Sequence, residues 1–76
     1  MGVTRRQRDC LASIKEITEG QGYPPSLSEI AAHMGITARS TVLAHVRNLA
    51  EMGLVTYERG RRRTVALTDA GLEEAV

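Results

Sequence analysis

The sequence predicts a mainly α, small α+β fold of three helices, a two-stranded β-hairpin and a short C-terminal helical turn. Three observations predict it. Residues 26–52 carry two helical patterns split by Gly35. A basic hairpin follows, with Arg59, Arg61, Arg62 and Arg63 between two β-branched or alternating runs. A longer amphipathic helix precedes both. That order of parts is a winged helix-turn-helix, whose dominant use is to place a helix in the major groove of duplex DNA.

Each element has its own signals. Thr4 followed by Gln7 reads as a capping box, in which the two side chains satisfy free amides at a helix start. Gln7, Cys10, Leu11, Ile14, Ile17 and Thr18 then share one face at helical spacing, and Gly20 and Gly22 end the pattern. The first helix is expected over Arg5 to Glu19. Tyr23-Pro24-Pro25 forces an extended link. Ser26 with Glu29 makes a second capping box, Leu27, Ile30, Ala31 and Met34 form the buried stripe, and Gly35 stops that helix in a left-handed turn. The third helix starts near residues 37–39 and runs to about Met52, with Val42, Val46, Leu49 and Ala50 inward and Leu43 beside them. Ser40, Thr41, Ala44, Arg47, Asn48 and Glu51 lie on its other face, and Gly53 ends it. Residues 54–57 and 64–67 read as the hairpin strands, joined by a turn at Gly60. Thr68 caps a last turn reaching Leu72 and Ala75.

The bulk numbers narrow the class. Seventy-six residues make a single domain, residues 1–76, stable by a few kcal/mol on the usual scaling. No apolar run approaches the ~20 residues that span a bilayer, and the polar, arginine-rich N-terminus has no signal-peptide pattern. A cytoplasmic protein with no membrane partner is expected, nucleoid-associated and encoded by a bacterium or phage. One Cys and two His show no metal-ligand spacing, and a lone Cys10 on an apolar face reads as a buried structural thiol. His33 closes the second helix, where a cation suits the negative helix end, and His45 lies between the core and outer faces. No paired-carboxylate site, Ser/His/Asp set or phosphate-cradling loop is recognisable. The expectation is no enzyme, no cofactor, no metal and no small-molecule ligand.

The charge distribution points to the partner. The net charge is only +1, but nine of the cations are arginine, grouped at positions 5–8, 39–47 and 59–63. Between Arg39 and Arg63, six arginines face only Glu51 and Glu58, whereas the charged residues of the tail from Thr68, Asp69, Glu73 and Glu74, are all acidic. Clustered guanidinium groups suit bidentate contact with phosphates and guanine edges. Arg39, Ser40, Thr41 and Ala44 are small or hydrogen-bonding groups that let a helix approach base edges, so they are the expected base contacts. Arg59, Arg61, Arg62 and Arg63 at the hairpin tip repel one another unless a polyanion compensates, which phosphates or a narrow minor groove would do. Arg47, Ser26, Ser28 and Arg5 are the other expected backbone contacts. Aromatics amount to 3%, Tyr23 and Tyr57, so there is no stacking platform of the single-strand or RNA type. The expected partner is double-stranded DNA. Modules this small often bind paired half-sites, so a homodimer is kept as a second partner. Two readings of another kind stay open: a winged-helix protein-interaction module, and an accessory protein of DNA replication or recombination.

Several segments carry a family resemblance. Thr4-Arg5-Arg6-Gln7, Gly22-Tyr23-Pro24-Pro25-Ser26, Ser28-Glu29-Ile30-Ala31, Met34-Gly35-Ile36 and Leu49-Ala50-Glu51-Met52-Gly53-Leu54-Val55 resemble the N-terminal DNA-binding domain of LexA repressors. The likeness runs from about Val3 to Leu67. It implies a winged helix that reads operators of DNA-damage genes, with base contacts from Arg39, Ser40, Thr41 and Ala44 and phosphate contacts from the wing. LexA proteins continue into a self-cleaving serine peptidase domain with a Ser-Lys dyad, of which these residues contain nothing. The resemblance therefore implies a repressor's DNA-binding part without the peptidase. Leu67-Thr68-Asp69-Ala70-Gly71-Leu72 also looks like the segment after the wing of MarR-type regulators.

Overall fold

The computed structural model describes residues 2–75. Its elements run α1 (Arg5–Gln21), α2 (Leu27–Met34), α3 (Arg39–Glu51), β1 (Val55–Thr56), β2 (Ala66–Leu67) and α4 (Asp69–Glu74). Both capping boxes form. The Gln7 amide donates to Thr4 Oγ1 at 3.1 Å and the Thr4 amide to Gln7 Oε1 at 2.9 Å. Around α2, the Glu29 amide donates to Ser26 Oγ at 3.1 Å and the Ser26 amide to Glu29 Oε1 at 3.0 Å. Thr68 caps α4 by accepting from the Gly71 amide. At the start of α3, Ala38 makes no side-chain cap.

α1 is two residues longer than expected. Gly20 stays helical, and the left-handed turn falls at Gly22, whose amide closes on the Thr18 carbonyl at 2.8 Å. The extension puts the Gln21 side chain where its Nε2 donates to the Tyr23 and Pro24 carbonyls and to Glu29, which fixes the following link. The strands are shorter than expected, at two residues each. Leu54 is used to stop α3: its amide reaches the Leu49 carbonyl and the Gly53 amide reaches Ala50, a Schellman motif with Gly53 at φ 77°. Across the loop, Thr64 replaces ladder bonds, its hydroxyl accepting from the Glu58 amide at 2.9 Å. The antiparallel register pairs Val55 with Leu67 and Thr56 with Ala66.

The three helices and the hairpin base enclose one apolar cluster. Cys10, Leu11 and Ile14 of α1 meet Ile30 and Ala31 of α2 and Val42, Val46 and Leu49 of α3, with Leu54, Val55, Val65 and Ala75 closing the side below the wing. The centres of the expected stripes therefore bury as read, whereas Gln7, Ile17 and Thr18 of α1, Leu27 and Met34 of α2 and Ala50 of α3 are only half-buried at their edges. Ser13 is an unanticipated member of the buried set. Its hydroxyl shares a 2.8 Å hydrogen bond with His33 Nδ1, which supplies the partner that a buried hydroxyl requires.

Cys10 is fully buried, and burial pushes its thiol from 9.0 up to about 11. The thiolate is the reactive form. At pH 8, alkylation by iodoacetamide is expected to proceed only as fast as the domain opens, with full reactivity restored in denaturant. Prompt labelling of the folded protein would contradict the packing of α1.

Candidate nucleic-acid interface

The N-terminal part of α2, the outer side of α3 and the wing enclose a concave groove of about 550 Å³. Its lining brings together Ser26, Ser28, Arg39, Arg47, Arg59, Arg61, Arg62 and Arg63, with Leu43 and Tyr57 at its floor. Residues separated by more than thirty positions in sequence thus meet on one basic surface. The fold achieves this because Gly35 turns α3 across α2, and the Schellman stop at Gly53 sends the chain straight into the wing.

The cations of this groove differ in how far they are already paired. Among the described residues, no carboxylate lies within 4.0 Å of Arg39, Arg47, Arg59 or Arg62. Arg61 faces Glu58 at 3.7 Å with both side chains well exposed, a pair worth about 0–1 kcal/mol and easily exchanged for another anion. Arg63 is different. Its Nη1 and Nη2 donate to the two Glu29 oxygens at 2.8 and 3.0 Å, and its guanidinium lies over the Tyr23 ring at 5.1 Å.

Of the remaining expected contacts, Ser40, Thr41, Ala44 and Arg5 fall outside the groove. Ser40, Thr41 and Ala44 are exposed on the early outer face of α3, directly alongside it. Ser26 is 7% exposed, with its hydroxyl accepting the Glu29 amide, so Ser28 carries the open hydroxyl of this corner. Arg5 is exposed at the start of α1. Its neighbours Arg6 and Arg8 face Asp9 and Glu74 at 3.6 and 3.7 Å.

Comparison with known proteins decides the family. The model of the LexA DNA binding domain matches residues 1–64. The chain belongs to that family. It is 36% identical over 67 residues to the LexA repressor of Lacticaseibacillus casei, 40% over 68 residues to that of Sorangium cellulosum, and 33% over 72 residues to that of Staphylococcus epidermidis. These alignments cover 88%, 90% and 95% of this chain but 32%, 30% and 35% of the repressors, so the chain spans about a third of their length. A hypothetical protein of known crystal structure superposes with a TM-score of 0.81 over 97% of this chain and 23% of its own, at 20% identity. At that identity the likeness concerns the fold, a winged helix.

Within this LexA-family domain, Glu29 is the residue whose full role the sequence reading missed. Beyond capping α2 it accepts from Gln21 Nε2 and from Arg63, so one carboxylate joins α1, α2 and the wing. The signal available was slight: a capping-box glutamate spends one oxygen on the cap and leaves the other unassigned. The Arg63 hydrogen bonds and the Ser26 amide hold its carboxyl down from the usual 4.5 to about 2. A depressed carboxylate contributes stability that is present above its unfolded pKa and lost as pH falls through the folded one. The melting temperature is therefore expected to drop between about pH 4.5 and 2 more steeply in the native chain than in Glu29→Gln. Parallel curves would exclude the Glu29 contribution. His33, besides its bond to Ser13, lies 3.8 Å from Glu16, so both contacts join α2 to α1. No helix among the described residues is long and apolar enough to cross a membrane.

Proposed function

We propose that this chain binds double-stranded DNA sequence-specifically and regulates transcription as a LexA-like repressor. α3 enters the major groove and the wing follows phosphates or the minor groove. The observation that carries this reading is the basic groove, where Arg39, Arg47, Arg59 and Arg62 have no carboxylate within 4.0 Å among the described residues and flank the exposed face of α3. Four converging guanidinium groups without internal partners raise the local potential, and a duplex backbone is the polyanion that matches their spread. The family membership and the names of the relatives support the same reading.

The roles divide by chemistry. Arg39, Ser40, Thr41 and Ala44 take the base edges on the first turns of α3, the first three as short or forked hydrogen-bonding groups and Ala44 by apolar contact. Arg47, Arg59, Arg61 and Arg62 take phosphates, with Ser28 and the Ser26 corner at the start of α2 and Arg5 at the start of α1 meeting the flanking backbone.

Selection from a random duplex library tests this, with Kd measured against salt for the winning sequence and a scrambled control. A winner bound about a thousandfold more tightly supports a sequence-specific regulator, and a palindrome in it supports a homodimer on paired half-sites. Equal, salt-dependent binding to both supports an accessory DNA binder instead. No binding to either turns the α3 face into a protein-interaction surface. Ser40→Ala with Thr41→Ala is expected to relax sequence preference by about 1–3 kcal/mol per lost base contact, leaving the salt slope unchanged. A double variant with the native preference would remove these two residues from the base-reading set.

A further inference from the structure

We infer that Arg63 is a positioning residue that clasps the wing to the helix-turn-helix through Glu29 and Tyr23, and is not one of the phosphate contacts. This rests on the duplex-DNA reading above and assigns a different role to one of the arginines expected to touch the backbone.

Four observations converge on it. The guanidinium is already engaged on its forked edge, by parallel bonds of 2.8 and 3.0 Å to the Glu29 carboxylate, with Nη1 also 3.3 Å from the Pro24 carbonyl. Its face is engaged as well, lying 5.1 Å from the Tyr23 ring centroid, which accounts for a tyrosine 49% exposed at that corner. Only a planar, bidentate cation satisfies both partners at once. Next, Arg63 is the one non-glycine residue with positive φ among those described, at 57°. Such a backbone persists only where the surroundings hold it, and here it turns the side chain back toward α2, leaving it 37% exposed against 73% for Arg61. Lastly, the hairpin has two residue pairs, too few to fix its own direction. The clasp, bridging 34 positions in sequence, supplies that direction and sets the angle at which Arg59, Arg61 and Arg62 face the groove beside α3.

Two variants separate a clasp from a phosphate contact. Glu29→Gln keeps an oxygen for the Ser26 amide, so the cap survives while the ion pair is lost. Arg63→Lys keeps the charge but loses the fork. Both, and the double variant, are tested on the selected duplex over a salt series. Wing order is read without DNA from ¹⁵N heteronuclear NOEs over residues 58–64.

The clasp predicts that each single variant binds roughly three- to tenfold more weakly, because a loosened wing must be ordered on binding. It also predicts an unchanged salt slope, a double variant no weaker than Arg63→Lys, and lower wing NOEs in all three. A phosphate contact predicts the opposite signs: Glu29→Gln binds more tightly, since a competing anion is gone, and Arg63→Lys stays near native affinity. That outcome overturns the proposal, as do wing NOEs unchanged in both single variants. If the native chain bound no duplex while the NOEs fell, the DNA reading would fail and the clasp itself would stand.

Discussion

Gly71→Ala is expected to lower the melting temperature by roughly 10–20 °C, a loss of about 3 kcal/mol in a domain of this size. A Cβ on Gly71 would sit 1.9 Å from the carbonyl oxygen of Leu54 and 3.0 Å from its carbonyl carbon. Neither atom can swing aside. The Leu54 carbonyl also accepts the Thr68 amide at 3.0 Å, and the Thr68 hydroxyl donates to the Gly53 carbonyl at 2.7 Å, so the stop of α3 and the start of α4 are bonded together at this point. α4 must therefore move away, taking buried Ala75 with it and opening the core beside α1. A chain this short has roughly 4–11 kcal/mol in total, so such a loss is a large fraction. The control is Gly20→Ala. Gly20 is helical and exposed with nothing within 4 Å of an added Cβ, so alanine should stabilise α1 by about 0.5–1 kcal/mol. Thermal melts of the two variants check both signs. A Gly71→Ala chain melting with the native one would show that α4 does not seat on Leu54.

The contrast between the two glycines shows what the sequence makes legible. Caps are local events, so Thr4 with Gln7, Ser26 with Glu29, and Thr68 could be read from spacing alone, and all three form. The inward stripe of α3 was legible for the same reason, since Val42, Val46 and Leu49 repeat at helical spacing and are fully buried. Gly20 and Gly22 look alike locally. The helix continues past the first because Gln21 has partners at Tyr23, Pro24 and Glu29 only if it is helical. Ser13 likewise reads as a polar residue beside an apolar stripe until His33, twenty positions away, supplies its partner. The candidate interface shows the same division. That charge clustering and element order gather one basic surface was legible, and the groove collects Ser26, Ser28, Arg39, Arg47 and the four wing arginines while Ser40, Thr41, Ala44 and Arg5 lie outside it. Its internal differences were not, because Arg63 stands in a run of three arginines and is set apart by its backbone twist and by its contacts with Glu29, Pro24 and Tyr23.

Alanine at Arg59, Arg61 and Arg62 together is expected to weaken duplex binding about a hundredfold at low salt, taking about 1 kcal/mol per exposed charged contact. It should also lower the slope of log K against log salt by up to about 2.7, at 0.9 for each phosphate released. Arg59 and Arg62 have no carboxylate within 4.0 Å among the described residues, and Arg61 gives up only a solvent-exposed pair with Glu58. Their charge is therefore available to a polyanion at little internal cost. Removing three cations from a chain of net charge +1 leaves it at −2, so long-range attraction to DNA reverses along with the contacts, and the association rate should fall most. Sequence preference should survive, because selected and scrambled duplexes present the same phosphates to the wing. Stability should move by no more than about 0.5 kcal/mol, since the three side chains are exposed and outside the core. Titrations of both duplexes from low to physiological salt read the affinity, slope and preference together, stopped-flow mixing reads the association rate, and a thermal melt reads the stability. An intact slope with reduced affinity would mean that the wing acts through shape or through α3. An intact slope with native affinity would remove the wing from the interface and leave α3 to bind alone.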